Sequence, residues 1–278
     1  VDREERKQVS EVKNTSIKYD LPAAEYHAID ALSASALKEI RKSPAHYWAW
    51  KHNQSRKESD AMRFGTAVHC SVLEPGRFAS EYIVSPRFDG RTIAGKEAKK
   101  EWEANNKGKT LIESEDMEAV KQCTRSILSH PIVGPLLFKG KSEVSLFGQD
   151  DDTGVDMKAR LDYLTDDLIL DVKTTDDASP KGFERTVALY GYDIQAAHYL
   201  EMSQRKRFLF IAIEKVAPYA VGVYELDDEL LEFARIERRA RINLYASCKE
   251  MDSWPAYPQV INKISLPSWR KKNEPVTQ

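Results

Sequence analysis

The stretch "LDYLTDDLILDVKTT", residues 161–175, decides the fold: an apolar strand is written around one acid and one lysine, Asp171 and Lys173. A plain hairpin would place threonines there. Just upstream, "VDMKARLDYL" alternates, with Val155, Met157, Ala159, Leu161 and Tyr163 on one face and Asp156, Lys158, Arg160 and Asp162 on the other. Successive strand side chains point to opposite faces, so one face is buried and the other carries charge. If Asp166 and Asp167 make a two-residue turn, residue numbers across the hairpin sum to 333. Asp162 then lies opposite Asp171, and Arg160 opposite Lys173. Directly opposed Cβ atoms are about 4.5–5.5 Å apart, where two carboxylates repel unless a cation sits between them.

Two acids converging beside a lysine suit a hard divalent cation. Such ions prefer oxygen ligands and keep waters that can be deprotonated to attack phosphorus. The lysine would orient that water or neutralise charge on a phosphate. A sheet-edge Asp–Lys ion pair with a solvated acid opposite has the same pattern, and D-x-K is common by chance.

The rest of the chain narrows the class. Its 278 residues are 41% hydrophobic, enough for a real core. Lys plus Arg number 42 against 44 for Asp plus Glu, so the overall field selects neither nucleic acid nor membrane, and an anionic ligand must be held locally. No run reaches the roughly 18 apolar residues of a membrane span, and no secretory signal is evident, so a cytoplasmic location is expected. Cys70, Cys123 and Cys248 are too scattered for a zinc or iron–sulfur site. The chain begins with Val1 and reads as a processed product or part of a longer protein.

Residues 1–20 are polar and aperiodic and are expected to be a flexible leader or linker, with residues 21–278 as one domain. "LSASALKEIRKSPAHYWAWKH" reads as a helix capped by Ser33 or Ser35, broken near Pro44 and resumed. "DAMRFGTAVHCSVLEP" has helical spacing, carries His69 and stops at Pro75; a further helix spans about 113–129. Between them lies a polar, lysine-rich stretch. Strands follow in "SEVSLFGQ", "VDMKARLDYL" and "LILDVK", then two helical pieces broken near Gly191, a strand pair turned at Pro218, and a long amphipathic helix from Asp227. That order argues for an α/β domain with a mixed sheet flanked by helices.

The hairpin resembles the PD-(D/E)XK nuclease signature, with Leu161 in place of the usual proline before Asp162, and "DVK" as second acid and lysine. "IQAAHYL" is similar to the Q-x-x-x-Y element of the RecB-like branch, placing Gln195 and Tyr199 one helical turn apart. "GTAVHCSVLEP" resembles the segment that supplies a histidine ligand there. With "LSASALKEIRKSPAHYW", "GKEAKKEW", "LDVKTTDDAS" and "SLPSW", the likeness runs from about Tyr26 to Trp269 and points to the RecE-type nuclease domains, the exodeoxyribonuclease VIII family.

The resemblance implies a restriction-endonuclease-like core and a magnesium-dependent 5′ to 3′ exonuclease, with manganese able to substitute. Its substrate would be the ends of linear double-stranded DNA, leaving 3′ overhangs for a single-strand annealing protein in recombination. It further implies a homo-oligomeric ring, a tetramer in the RecE type, and no membrane. His69, Asp162, Asp171 and the carbonyl of Val172 would be metal ligands and Lys173 would handle the water, with Gln195 and Tyr199 supporting the lysine or the phosphate. Glu143 is an outer candidate or a surface glutamate. Ser35 resembles a 5′-phosphate serine or is a plain helix cap. Arg160 grips a phosphate or balances Asp156 or Asp162. Lys96, Lys99, Lys100 and Arg63 are candidates for a channel wall. The competing readings are an endonuclease on the same core and a catalytically inactive DNA-binding or assembly protein.

Overall fold

The computed structural model describes residues 12–53 and 59–266. The chain runs through β1 (Val12–Lys18), α1 (Ala23–Ala28), α2 (Ala34–Ile40), α3 (Pro44–His52), α4 (Asp60–Leu73), α5 (Pro75–Glu81), β2 (Tyr82–Val84), α6 (Ile93–Asn105), β3 (Thr110–Ile112), α7 (Ser114–Ser129) and α8 (Val133–Leu136). It continues through β4 (Lys141–Asp150), β5 (Asp156–Leu164), β6 (Leu168–Thr175), α9 (Pro180–Tyr190), α10 (Tyr192–Ser203), β7 (Arg207–Glu214), β8 (Val221–Tyr224) and α11 (Asp228–Glu250).

Local chemistry sets many of these boundaries. The side chains of Ser33, Ser43, Ser59, Ser179 and Asp227 each accept a backbone N–H from the first turn of the helix that follows. Pro44 and Pro180 occupy the first helical position, where no N–H is needed. Gly191, at φ 64°, takes the left-handed conformation that ends α9 and redirects the chain into α10.

Six strands form one mixed sheet in the order β1-β4-β5-β6-β7-β8, and β2 and β3 form a separate parallel pair. β6 and β7 are parallel, so α9 and α10 serve as the crossover between them. A strand covered on both faces is apolar throughout, which accounts for the run in β6. Leu168, Leu170 and Val172 pack with Val68, Val120 and Ile127 of α4 and α7. On the other face Ile169 joins Phe208, Phe210, Ile194 and Leu37, toward α10 and α2. The result is a mixed sheet between helical layers, the restriction-endonuclease-like arrangement.

One expectation needs correction. The leader does not extend to residue 20: residues 12–18 are an edge strand, β1, antiparallel to β4, with Ile17 opposite Leu146. The segment is polar because an edge strand leaves much of its surface in water, which hides the period-two signal. The lysine-rich stretch forms α6, a helix with no buried residue. Residues 1–11 and 267–278, including Trp269, lie outside the described residues.

A buried ion pair ties the far end of the β4–β5 hairpin to α11. Arg239 donates to both oxygens of Asp150, at 2.8 and 2.6 Å, while the Thr153 hydroxyl and amide hold Oδ2 at 2.7 and 3.1 Å. Asp150 is buried, so removing its partner strands a charge, which costs about 3–5 kcal/mol. Arg239→Met is expected to lower the unfolding free energy by about that amount in urea titration.

Candidate active site

The hairpin has the anticipated register beside its turn, but the expected pairs Asp162–Asp171 and Arg160–Lys173 lie beyond the end of the ladder. Thr165 donates its N–H to the Leu168 carbonyl around Asp166 and Asp167, and Leu164 pairs with Ile169 and Tyr163 with Leu170. Ladder pairing then stops and the strands part. Where the next pair would form, Val172 N–H donates instead to Asp162 Oδ2, at 3.0 Å. Asp162 and Asp171 thus face the opening between β5 and β6.

Each acid has its own cation. His69, from α4, brings Nε2 within 2.8 Å of Asp162 Oδ2 and Nδ1 within 3.3 Å of Glu143 Oε1. Glu143 falls opposite Asp162 in the β4–β5 register and has φ 54°, a strained value for a residue with a side chain. Its other oxygen accepts from Arg160 Nε. Asp171, fully buried, pairs with Lys173 and accepts from Gln195 Nε2 at 2.7 Å. α4 comes this close because residue 65 is glycine: a methyl group there would lie 3.1 Å from Thr174 Oγ1 of β6. His69 is one helical turn further along.

Burial raises the Asp171 carboxyl, the neighbouring Asp162 charge adds to this, and Lys173 opposes it, leaving a value of about 6. Burial would also raise Asp162, but the charge and hydrogen bond of His69 outweigh it and hold the group below its ordinary value. Burial would lower His69, yet Asp162 and Glu143 lift it to about 9. Lys173 is likewise lifted above its ordinary value by Asp171 and Asp162 despite desolvation. Two adjacent carboxyls with values pushed apart are characteristic of sites that carry out acid–base chemistry.

Among the described residues no three His, Cys, Asp or Glu side chains already converge as a metal-bound set does. The donor set still fits a divalent cation. Asp171 Oδ2 is buried without an aligned hydrogen bond, offset only by the Lys173 ammonium, and the Asp162–His69 pair presents one oxygen and one nitrogen donor beside it. A cation there would take the place of the His69 proton in compensating Asp162, leaving the imidazole free to ligate, and would share Asp171 with Lys173.

The site opens on a cleft of about 790 Å³ that reaches Ser35, Lys51, Arg160 and Tyr199, and on a smaller one of about 270 Å³ bounded by Gly65, Val172, Lys173 and Tyr192.

Residues 33–266 match the PDDEXK-like domain of unknown function DUF3799. The chain belongs to that family. A solved structure described as a "Putative exonuclease" from Eubacterium rectale has the same fold, with a TM-score of 0.61 at 14% identity over 94% of this chain and 96% of that one. The alkaline exonuclease of Laribacter hongkongensis aligns over 80% of this chain and 91% of its own at 14% identity, with a TM-score of only 0.35. No curated protein sequence matches the chain.

On this PDDEXK-like frame the residues singled out from sequence mostly meet, with several changes of role. Glu143 is no surface glutamate but touches His69. Gln195 holds Asp171 and accepts from Lys38, and does not support Lys173 directly. Tyr199 lines the large cleft one turn on and packs against Phe208. Arg160 balances Glu143, not Asp156 or Asp162, and also donates to the Leu21 carbonyl at 2.8 Å. Ser33 is the helix cap, which leaves Ser35 exposed in the first turn, facing the cleft. Lys96, Lys99 and Lys100 are exposed on α6, and Arg63 pairs with Asp60. The Val172 peptide is at the site through its N–H.

Sequence reasoning missed Lys38 and Tyr192. Lys38 Nζ donates to Gln195 Oε1 at 2.7 Å, and burial together with Lys173 lowers its value to about 7. Tyr192 has the Lys38 and Lys173 ammoniums 4.8 and 4.9 Å from its ring centre. The signal was helical spacing: Lys38 follows Ser35 by three residues, and Tyr192 precedes Gln195 by three.

Gly65→Val is expected to push α4 from β6, pulling His69 off Asp162. Unfolding free energy should fall by about 1–3 kcal/mol, as for overpacking, with a larger proportional loss of activity. Denaturant titration beside a turnover assay checks both.

Proposed function

We propose that the chain is a magnesium-dependent exonuclease that digests linear double-stranded DNA from 5′ to 3′ and leaves 3′ single-stranded overhangs for strand annealing. The observation that carries this reading is the placement of Asp162, Asp171 and Lys173 at the parting of β5 and β6, with His69 against Asp162. PDDEXK nucleases typically use divalent ions, and an oxygen-rich donor set with one imidazole favours magnesium or manganese.

His69, Asp162, Asp171 and the Val172 carbonyl would hold the ion, which supplies Lewis acidity toward phosphate and water. Hydrolysis adds a water oxygen to phosphorus and breaks the bond to the 3′ oxygen, which leaves as the hydroxyl. Lys173, anchored by Asp171, is placed to orient the water and neutralise charge developing on the phosphoryl oxygens. Gln195 fixes Asp171 and so sets where the lysine sits. Ser35, exposed at the mouth of the cleft, is available to a terminal phosphate.

Following the family resemblance, we assign the chain to a closed ring that threads the duplex end, with a tetramer favoured and the lysines of α6 along the DNA path. A single-strand annealing protein would receive the overhang.

Linear duplex labelled at either end, incubated with magnesium, is expected to release 5′ label first, with covalently closed circles spared. Cutting of circles would favour an endonuclease. Lys173→Ala is expected to slow turnover roughly 10²–10³-fold with DNA binding retained; unaltered turnover would refute the role given to the lysine. Light scattering tests the ring, and a strict monomer would refute threading.

A further inference from the structure

Beside the acid cluster, and outside the large cleft, lies a groove of about 410 Å³ between the C-terminal half of α2 and the α9–α10 junction. Lys38, Arg41 and Lys42 line one wall and Tyr190 and Tyr192 the other. Glu39, paired with Lys42 at 2.8 Å, also borders it, so the lining is net cationic.

The two tyrosines stack, with ring centres 5.7 Å apart and planes at 27°. The Gly191 turn sets them side by side. A Cβ at Gly191 would lie 3.4 Å from both Arg41 Nη1 and Lys38 Cγ, so this turn sits directly against α2. Tyr192 contacts Lys173 on the site side, whereas Tyr190 is 56% exposed. A continuous aromatic pair therefore leads from the reactive lysine to open solvent, with cations alongside.

We propose that this groove binds a single strand of DNA next to the scissile phosphate, with a base stacked on Tyr190 and phosphates on Arg41 and Lys42. Duplex bases hide their faces against one another, so an exposed ring flanked by cations suits an unpaired strand. The assignment rests on the nuclease reading above and adds the state of the DNA beside the site: an unpaired strand. Lys38, already held by Gln195, marks the boundary between groove and site.

The test is fluorescence anisotropy with the full chain in EDTA, using labelled oligothymidylate and a blunt duplex of equal length. Tyr190→Ala is expected to weaken oligothymidylate binding about five- to hundredfold and leave the duplex nearly unchanged, with Tyr190→Trp restoring it to within about twofold. Lys42→Ala should reduce the slope of log affinity against log salt by about 0.7. Duplexes with a 3′ or a 5′ single-stranded tail identify the occupant. If Tyr190→Ala weakens only the 3′-tailed form, the groove holds the spared strand; if only the 5′-tailed form, the strand being digested. Unaltered single-strand binding in Tyr190→Ala, or equal weakening of blunt duplex, overturns the proposal. Binding is read without metal, so failure of DNA digestion by the unaltered chain would sink the nuclease reading separately.

Discussion

The interaction on which the site depends is the hydrogen bond from Val172 N–H to Asp162 Oδ2. It forms where β5 and β6 stop pairing, and it satisfies a backbone donor that the parted strand would leave without a ladder partner. In doing so it fixes Asp162 close to Asp171. All else at the site follows from holding two acids side by side: His69 and Lys173 arrive as compensating cations, and Gln195, itself accepting from Lys38, donates to Asp171 Oδ1 from the other helical layer.

The two helical layers contribute differently. α4 brings its histidine close because Gly65 leaves room for Thr174 Oγ1 of β6, so this side of the site is set by how near the helix can approach. From the other face α2 and α10 reach the acids with long side chains, Lys38 and Gln195. One layer thus fixes position and the other supplies polar contacts. The candidate site consequently depends on packing on both faces of the sheet, including the clusters around Phe210 and Ile211.

The hairpin was legible because two constraints agree: a two-residue turn sets the register, and alternation sets the faces. Strands β4 to β8 and the helices of the crossover carried equally strong periodic or capping signals. β1 was not legible, since a polar edge strand borrows its order from β4. The end of pairing at Tyr163–Leu170 was likewise invisible, because it depends on Asp162 capturing a backbone amide. Roles that depend on which atom a long side chain reaches, such as Arg160 turning to Glu143 or Gln195 turning to Asp171, follow from three-dimensional packing that spacing alone does not encode.

Glu143 shows how chemistry and folding pull against each other at a single position. Its left-handed backbone is a conformation that disfavours any residue with a β-carbon, at a cost of about 1–3 kcal/mol. Glycine would relax the strand but remove the carboxylate that steadies His69 and occupies Arg160. The protein therefore keeps an uncomfortable residue near the start of a strand, and gives up some thermodynamic ease to set a second carboxylate against the histidine.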